Sequence, residues 1–477
     1  MLLSKLLEEV EFLECKNFTE RDITDVSPSS KECKEGCVFV CIKGERYDGN
    51  DFVDDAASRG AKVFVSERDL STKRDETVII SKNARKTLAE ISKCLHFRNI
   101  ENMLIVGITG TKGKTTTAVC LSEALKNSGV PVIFIGTPGI KIFGNEGGYT
   151  DTDNTTPDAP LIYKSLSLAY NLGIRAAVIE VSSQALAKYR VYGIPFTLGI
   201  FTNFSSDHIG ASEHKDEQEY FMAKKSLFDS YGVRCAVVNI QDSRALEISS
   251  AVPEIIPVKT TLLQGGNLNL RFLCNGEMIK LLGVGAFNAV NASLALAAAE
   301  RMFGITKTSL AEALGSVFVN GRFEVYRIRG KTVIIDYAHN AESFRAVMCE
   351  VRKFTKGKII SVFGSVGDRG ADRRIALAKA AERFSDLSVI TTDNPGFESP
   401  TKIAEDIYSG FTVKERARVL VDRIEAIAYA VSFATSRDTV LLLGKGHEKY
   451  QLVNGEKRLF SERAILLALG AKPICSF

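Results

Sequence analysis

A chain of 477 residues is too long for one hydrophobic core, and at roughly 150 residues per domain it divides into about three. Its apolar content of 45% can bury them, and its net charge of +4 comes from 61 basic and 57 acidic residues in mixed order, with no long basic block to follow a nucleic-acid backbone. No apolar run approaches the roughly 18 residues of a membrane span, and the opening MLLSKLLEEVEFLE is too charged for a signal peptide, so neither nucleic acid nor membrane is expected as a partner and the cytoplasm is the expected compartment.

Residues 1–98 mix short strand-like runs, CVFVCI and AKVFVS, with helical stretches such as FVDDAASRGA and ARKTLAEISKCLHF, and read as a small α/β unit. The ten cysteines include no C-x-x-C pair and read as free thiols in a reducing compartment. The spacing Cys33, Cys37, Cys41 invites a metal reading, but VFVCI reads as a strand whose cysteine is a small buried hydrophobe.

From MLIVGI onward the apolar runs PVIFIG, AAVIEV, TLGIFTN and CAVVNI alternate with helical segments, the pattern of a doubly wound, largely parallel sheet. Between the first run and its helix lies GITGTKGKTTTAV, which misses the pattern G-x-x-x-x-G-K-[ST] by one position, because Ile108 stands where the first glycine belongs. The chemistry is less strict than the pattern. It needs backbone N–H groups at a helix N-terminus, a lysine for the outer phosphates and a hydroxyl for Mg2+, and Gly110, Gly113, Lys114, Thr115 and Thr116 supply them. An ordinary strand-to-helix turn with an exposed lysine is the competing reading, and the strand, glycine loop and helix in succession favour nucleotide binding.

A third series begins after NGRFEVY, in TVIIDYAH, KIISVFG, LSVITTDNP and TVLLLGKGHE. The expected domains are therefore 1–98, 99–321 and 322–477. In both larger units polar residues sit just past an apolar run: Glu180, Asp207 and His208, then His339, Asp368 and Arg369, Asp393 and Asn394, His447 and Glu448. Open parallel sheets bind ligands at that edge. Glu180 suits Mg2+, which prefers oxygen ligands, whereas a lone histidine such as His208 is more often a hydrogen-bonded structural group.

TGTKGKTT, NTTP, EVSSQAL, TNFSSDH, GAFNAVNA, NGRFE, DYAHN, GSVGDRG and GKGHE together resemble the Mur ligases, over essentially the whole chain, and within them the branch that adds the third peptide residue. The off-pattern loop is that family's own phosphate loop. The resemblance implies a three-domain α/β fold: a small UDP-binding domain, a central P-loop domain with a doubly wound parallel sheet, and a C-terminal Rossmann-like domain that binds the amino acid. It implies an ATP-dependent reaction in which the γ-carboxyl of UDP-N-acetylmuramoyl-L-alanyl-D-glutamate is phosphorylated and the amine of a free amino acid attacks the acyl phosphate. A monomer is expected.

Carried over position by position, the resemblance assigns Gly110, Thr111, Gly113, Lys114, Thr115 and Thr116 to ATP phosphates, Asn288 to adenine, and Arg322 and Asp336 to ribose and phosphates. Thr115 or Thr116 and Glu180 would ligate Mg2+, with His208 and a carbamylated Lys224 at a second metal. A bare lysine would repel that cation, so the modification is what makes Lys224 intelligible there. Asn154, Thr155, Thr156, Ser183 and Arg190 would hold the muramoyl-dipeptide. Ser30, in Ser29-Ser30-Lys31 where many relatives carry D-S-R, would meet the uridine, and Lys188 departs from the glutamine common near Arg190.

Arg369, Asp393, Asn394, Gly396, Gly444 and Glu448 would read the incoming amino acid. In members that add meso-diaminopimelate an arginine at the position of Gly396 grips the distal carboxylate, which glycine cannot do. The expectation is therefore L-lysine or a related diamine such as ornithine, with meso-diaminopimelate as the alternative and Lys445 or Arg373 as residues able to replace the lost arginine. Folate-glutamate ligases use the same two ATP-binding units but lack a UDP-binding first domain. A regulatory subunit that has lost turnover would show damage in the set Lys114, Glu180, His208, Lys224 and Asp336, all of which are present.

Overall fold

The computed structural model describes residues 1–477 except 45–46, 98–99, 144–148, 153, 206–213, 265–268, 283–284, 315–318, 368–369 and 475–477. The chain forms two compact units, Met1–Lys259 with Val290–Ala313, and Thr260–Ala289 with Leu314–Phe477.

The first unit holds two sheets. In the smaller one, strands Asp25–Ser27, Cys37–Val40, Val63–Ser66 and Thr77–Ile80 run parallel, and Glu14–Lys16 closes the edge antiparallel to Thr77–Ile80. CVFVCI and AKVFVS fall on two of these strands, with Cys41 one residue past the first. The helix Ala84–His96 starts where Asn83 accepts the N–H of Lys86 at 3.0 Å, and its Leu88 and Ile91 enter the core of this sheet.

The larger sheet has eight strands. Glu254–Val258, Cys235–Asn239, Leu198–Phe201, Leu104–Thr109, Ala176–Glu180 and Val132–Gly136 run parallel in that spatial order, followed antiparallel by Gly139–Phe143 and Tyr149–Thr150. The central strands are apolar throughout because both faces are covered, Ile105, Ile133, Ala177 and Ile179 among the buried residues. Leu104–Thr109 leads through the glycine loop into the helix Lys114–Asn127, which ends just before Gly129 at φ +82°.

The second unit is built on a seven-stranded sheet ordered Ala417–Val419, Leu387–Ile390, Ile359–Phe363, Thr439–Leu443, Lys331–Asp336, Glu324–Ile328 and Lys472–Pro473. The first five are parallel, with separate apolar cores on the two faces, one including Phe344 and Leu377 and the other Ile427 and Leu466. The sequence reading starts this series after NGRFEVY; the structure brings residues of that segment, Glu324–Ile328, into the sheet. They form a hairpin with Lys331–Asp336 through Arg329 and Gly330, both at positive φ.

Two further hairpins stand outside the sequence reading. Asn269–Cys274 and Glu277–Leu282 pair antiparallel through Asn275-Gly276 and take Thr260–Gln264 as a third strand. Tyr450–Val453 and Glu456–Leu459 pair through Asn454-Gly455. All four turn residues have positive φ, the reason Asn-Gly recurs in two-residue hairpin turns.

Candidate active site

In the first unit the C-terminal edge of the eight-stranded sheet is where the glycine loop sits. Gly113, at φ +85°, caps the helix Lys114–Asn127 and directs the first helical N–H groups outward. A Cβ on Gly113 would lie 2.3 Å from Asn291 Oδ1, and one on Gly110 would lie 1.9 Å from Thr202 Oγ1, so neither position admits a side chain. The loop is braced from the next strand: Asn203 accepts the Lys112 N–H at 2.9 Å and donates to the Lys112 carbonyl at 3.0 Å, to which Thr202 Oγ1 also donates at 2.6 Å. Tyr220 donates to Thr111 Oγ1 at 3.2 Å.

Two cations converge on this loop. Lys114 Nζ donates to the carbonyls of Gly110 and Thr111 at 2.9 and 3.1 Å, and the buried Lys224 donates to the same Gly110 oxygen at 3.0 Å while lying 4.2 Å from the centroid of the Tyr220 ring. Beside them is a cluster of hard oxygen donors. Thr115 Oγ1 donates to Glu180 Oε2 at 2.8 Å, Thr137 N–H to Glu180 Oε1 at 2.9 Å, and Thr137 Oγ1 to Thr155 Oγ1 at 3.1 Å. Glu180 is fully buried, and the lack of a side chain at Gly136 is what admits its carboxylate. One carboxylate with threonine hydroxyls fits Mg2+, which takes few protein ligands and completes its shell with phosphate oxygens and water. Among the described residues no group of three or more His, Cys, Asp or Glu could hold a metal. His208 and Asp207 lie outside the described residues.

Next to this cluster are the residues assigned to the muramoyl-dipeptide. Thr156 Oγ1 donates to the Glu180 carbonyl at 2.7 Å, Arg190 donates to the Thr156 carbonyl at 2.9 Å and pairs with Asp158 at 2.9 Å, and Ser183 bonds the buried His214 at 2.9 Å. Asn154 is exposed at the start of the same stretch. Thr116 is buried in the first turn of the loop's helix. Ser30 is apart from these, on the turn Ser30–Glu32 of the smaller sheet, where its hydroxyl helps hold the Asp55 carboxyl below its usual range.

The second unit carries most of the remaining candidates, several of them just past the ends of its strands. Asp336, last residue of its strand, accepts N–H groups from Ala338 and Phe323 at 2.7 and 2.8 Å, and burial raises its carboxyl against the opposing charge of Arg322. The Arg322 guanidinium lies 4.4 Å from the Tyr337 ring centroid. Burial, with the Arg322 charge, pushes the His447 imidazole down to about 3, so it stays neutral. Asn288 is near the start of the helix Ala286–Phe303 and its backbone N–H closes a turn onto Gly285.

Asp393 and Asn394 follow the strand Leu387–Ile390, and Gly444 and Glu448 follow Thr439–Leu443. Lys445 joins the two loops. Its wholly buried ammonium donates to Asn394 Oδ1 at 2.7 Å and Glu448 Oε2 at 2.5 Å and lies 3.7 Å from Asp393, while Asn394 Nδ2 donates to Glu448 at 2.9 Å. Gly444 has φ +108°, and a Cβ there would lie 2.5 Å from Asp393 Oδ2. Gly396, at φ +61°, donates its N–H to the Leu452 carbonyl at 3.0 Å and accepts from Asn454 at 2.7 Å. Arg373 donates to the His339 carbonyl at 3.2 Å. Arg369 and Asp368 lie outside the described residues. The braces Thr202 and Asn203, the close approach of Asn291 to Gly113, the hydroxyl of Thr137 and the bridging role of Lys445 are beyond the sequence reading, because each depends on contacts between segments distant in the chain.

Three Mur ligase domain families match the chain: the Mur ligase family catalytic domain over residues 22–100, the Mur ligase middle domain over 108–299 and the Mur ligase glutamate ligase domain over 321–446. A protein of Aquifex aeolicus named UDP-N-acetylmuramoyl-L-alanyl-D-glutamate--2,6-diaminopimelate ligase is 38% identical, the alignment covering 94% of each chain. A protein of the same name from Clostridioides difficile is 34% identical over 98% of each. A solved structure of a ligase of that name superposes with a TM-score of 0.64 at 25% identity, covering 94% of each chain. The sheets, the phosphate loop with its paired lysines, and these likenesses agree: the chain belongs to the Mur ligase family of amide-forming ligases, among relatives of the MurE type.

Proposed function

We propose that the chain joins a diamino acid to the γ-carboxyl of UDP-N-acetylmuramoyl-L-alanyl-D-glutamate at the expense of ATP, releasing ADP and phosphate, as a cytoplasmic step of peptidoglycan synthesis. The observation that carries this reading is the convergence of Lys114 and Lys224 on the Gly110 carbonyl beside the Thr115–Glu180 pair. It sets the Lys114 ammonium and the loop N–H groups next to hard oxygen donors, suited to a nucleotide triphosphate with its metal, with Lys224 where its carbamate would add a carboxylate to those donors. Thr115 and Glu180 would hold Mg2+, which when bound offsets charge on the phosphoryl oxygens. Lys114 and the loop N–H groups orient the γ-phosphate toward the γ-carboxyl of the dipeptide, held by Thr155, Thr156, Ser183 and Arg190. Asn288, Arg322 and Asp336 serve the nucleoside and phosphates, and Ser30 the uridine. His208 and a carbamylated Lys224 would hold a second metal. The division 1–98, 99–321 and 322–477 goes with these roles and is supported by the limits of the matching domain families.

For the amino acid, the relatives' names support 2,6-diaminopimelate, the alternative weighed from the sequence, and we adopt it as the first reading in place of L-lysine. Gly396 favours L-lysine or ornithine as the second reading. It has no group for a distal carboxylate, and Lys445, able in principle to substitute, is already engaged by Asn394 and Glu448. Either way Asp393, Asn394 and Glu448 receive an amino group, and Arg369 and Gly444 belong to the same loops. The test is to incubate the protein with ATP, Mg2+, UDP-dipeptide and each diamino acid, and to weigh the product. A UDP-tripeptide mass with at least one diamino acid is expected; ATP consumed with no new amide in any mixture refutes the reading.

A further inference from the structure

The two loops that carry Asp393-Asn394 and Gly444–Glu448 leave strands that are not neighbours, because Ile359–Phe363 lies between Leu387–Ile390 and Thr439–Leu443. The two strands therefore share no ladder of hydrogen bonds with each other. Arg423, first residue of the helix Arg423–Phe433, reaches across the gap. Its Nη1 donates to the Thr392 carbonyl at 3.1 Å and its Nη2 to the Leu443 carbonyl at 2.7 Å, each one residue before a loop that bears candidate side chains. The rest of the guanidinium is held by Glu462 Oε1, which accepts from Nε at 3.0 Å and Nη2 at 2.8 Å.

Both side chains are 0% exposed, and among the described residues Glu462 Oε2 has no hydrogen-bond partner. Burying an ion pair with one oxygen left unsatisfied is a poor way to stabilise a fold, since apolar residues of similar volume do as well or better at such positions. What apolar residues cannot do is hold two carbonyls at a fixed separation. A guanidinium can, because its donors are set in a rigid planar fork.

We propose that Arg423, oriented by Glu462, is a positioning residue for amino-acid recognition, fixing the loop of Asp393 and Asn394 against the loop of Gly444 to Glu448. The inference rests on reading that edge as the amino-acid site. Lys445 then bridges two loops already held in register, and Asn394 and Glu448 keep their acceptors aimed at one point.

The test is the double variant Arg423→Met/Glu462→Leu, assayed by phosphate release with each substrate varied in turn. It is expected to fold, with a melting temperature lowered by no more than the loss of the two carbonyl contacts requires. Its KM for the amino acid should rise about tenfold or more, with KM for ATP and for the UDP-dipeptide unchanged, the signature of lost binding at one site. A folded double variant with the parental amino-acid KM overturns the proposal, as does an equal loss for all three substrates, which marks a merely structural role. If the double variant does not fold, Arg423→Lys, which keeps the charge without the fork, carries the same expectation and the same overturning result. A parent chain with no amino-acid-dependent phosphate release defeats the functional reading itself, and the proposal with it, before any variant is compared.

Discussion

Lys114 and Lys224 donate to one oxygen, the carbonyl of Gly110, at 2.9 and 3.0 Å, although they are on different helices and 110 residues apart in the chain. Both therefore stand at the glycine loop, beside the Thr115–Glu180 pair. The account predicts that Lys224→Ala is nearly inactive in phosphate release and is partly restored by short carboxylic acids, because the carbamate proposed on Lys224 presents a carboxylate. Full activity of Lys224→Ala without additives sinks that assignment.

Glu180 is accommodated only because residue 136 is glycine. A Cβ there would lie 2.2 Å from Glu180 Oε1. Gly136→Ala should therefore displace the carboxylate from Thr115 and Thr137 and act much like Glu180→Gln. At about 1.5–3 kcal/mol for a hydrogen bond to a charged group, kcat/KM should fall roughly 10- to 100-fold, with the half-saturating Mg2+ concentration raised. Unchanged Mg2+ dependence in both variants contradicts the proposed metal ligands.

His447 gives the second unit a pH dependence whose sign is fixed. Burial, with the Arg322 charge, lowers its folded pKa to about 3, well below the 6.5 of the unfolded chain. The unfolded state thus binds the extra proton between those values, and the stability contributed by neutral His447 is complete above pH 6.5 and drains away as pH falls toward 3. Between pH 6.5 and 5 the loss is roughly 1–2 kcal/mol. Thermal unfolding at the two pH values should show the drop in the parent and a smaller one in His447→Gln. Equal drops in both contradict it.

The phosphate loop was legible because its chemistry dictates residue types at short spacing, and the exact position of the first glycine mattered less than Gly110, Gly113, Lys114 and Thr115. The apolar runs of the central and C-terminal sheets were legible for a similar reason: strands buried on both faces are almost continuously hydrophobic. Asn275-Gly276 and Asn454-Gly455 are equally visible hairpin signals, set among apolar runs whose pattern otherwise points to parallel strands. Thr202 and Asn203 were not legible as braces, nor Asn291 as a neighbour of Gly113, since nothing local distinguishes a polar side chain that meets the glycine loop from one that meets water. The same holds for Arg423 and Glu462, whose pairing across 39 positions exists only in the folded sheet.

Gly396 makes the choice of amino acid testable apart from the ligase reading. Its φ of +61° is a conformation side chains adopt at a cost, and its backbone is tied to Leu452 and Asn454. Gly396→Arg should therefore strain the loop, and a gain for meso-diaminopimelate over L-lysine is expected to be smaller than the roughly 1.5–3 kcal/mol of an unstrained charged hydrogen bond. The ratio of kcat/KM for the two amino acids, in parent and variant, measures it. A parent that prefers L-lysine establishes the second reading over the first.

The central claim is that this chain couples ATP cleavage to amide formation between two other substrates. Phosphate release measured with ATP and Mg2+ present, omitting in turn the UDP-dipeptide and the diamino acid, tests it most directly. Rapid release is expected only in the complete mixture, and background release in each omission. Equal release with and without both substrates, or none in a complete mixture with any diamino acid, contradicts it.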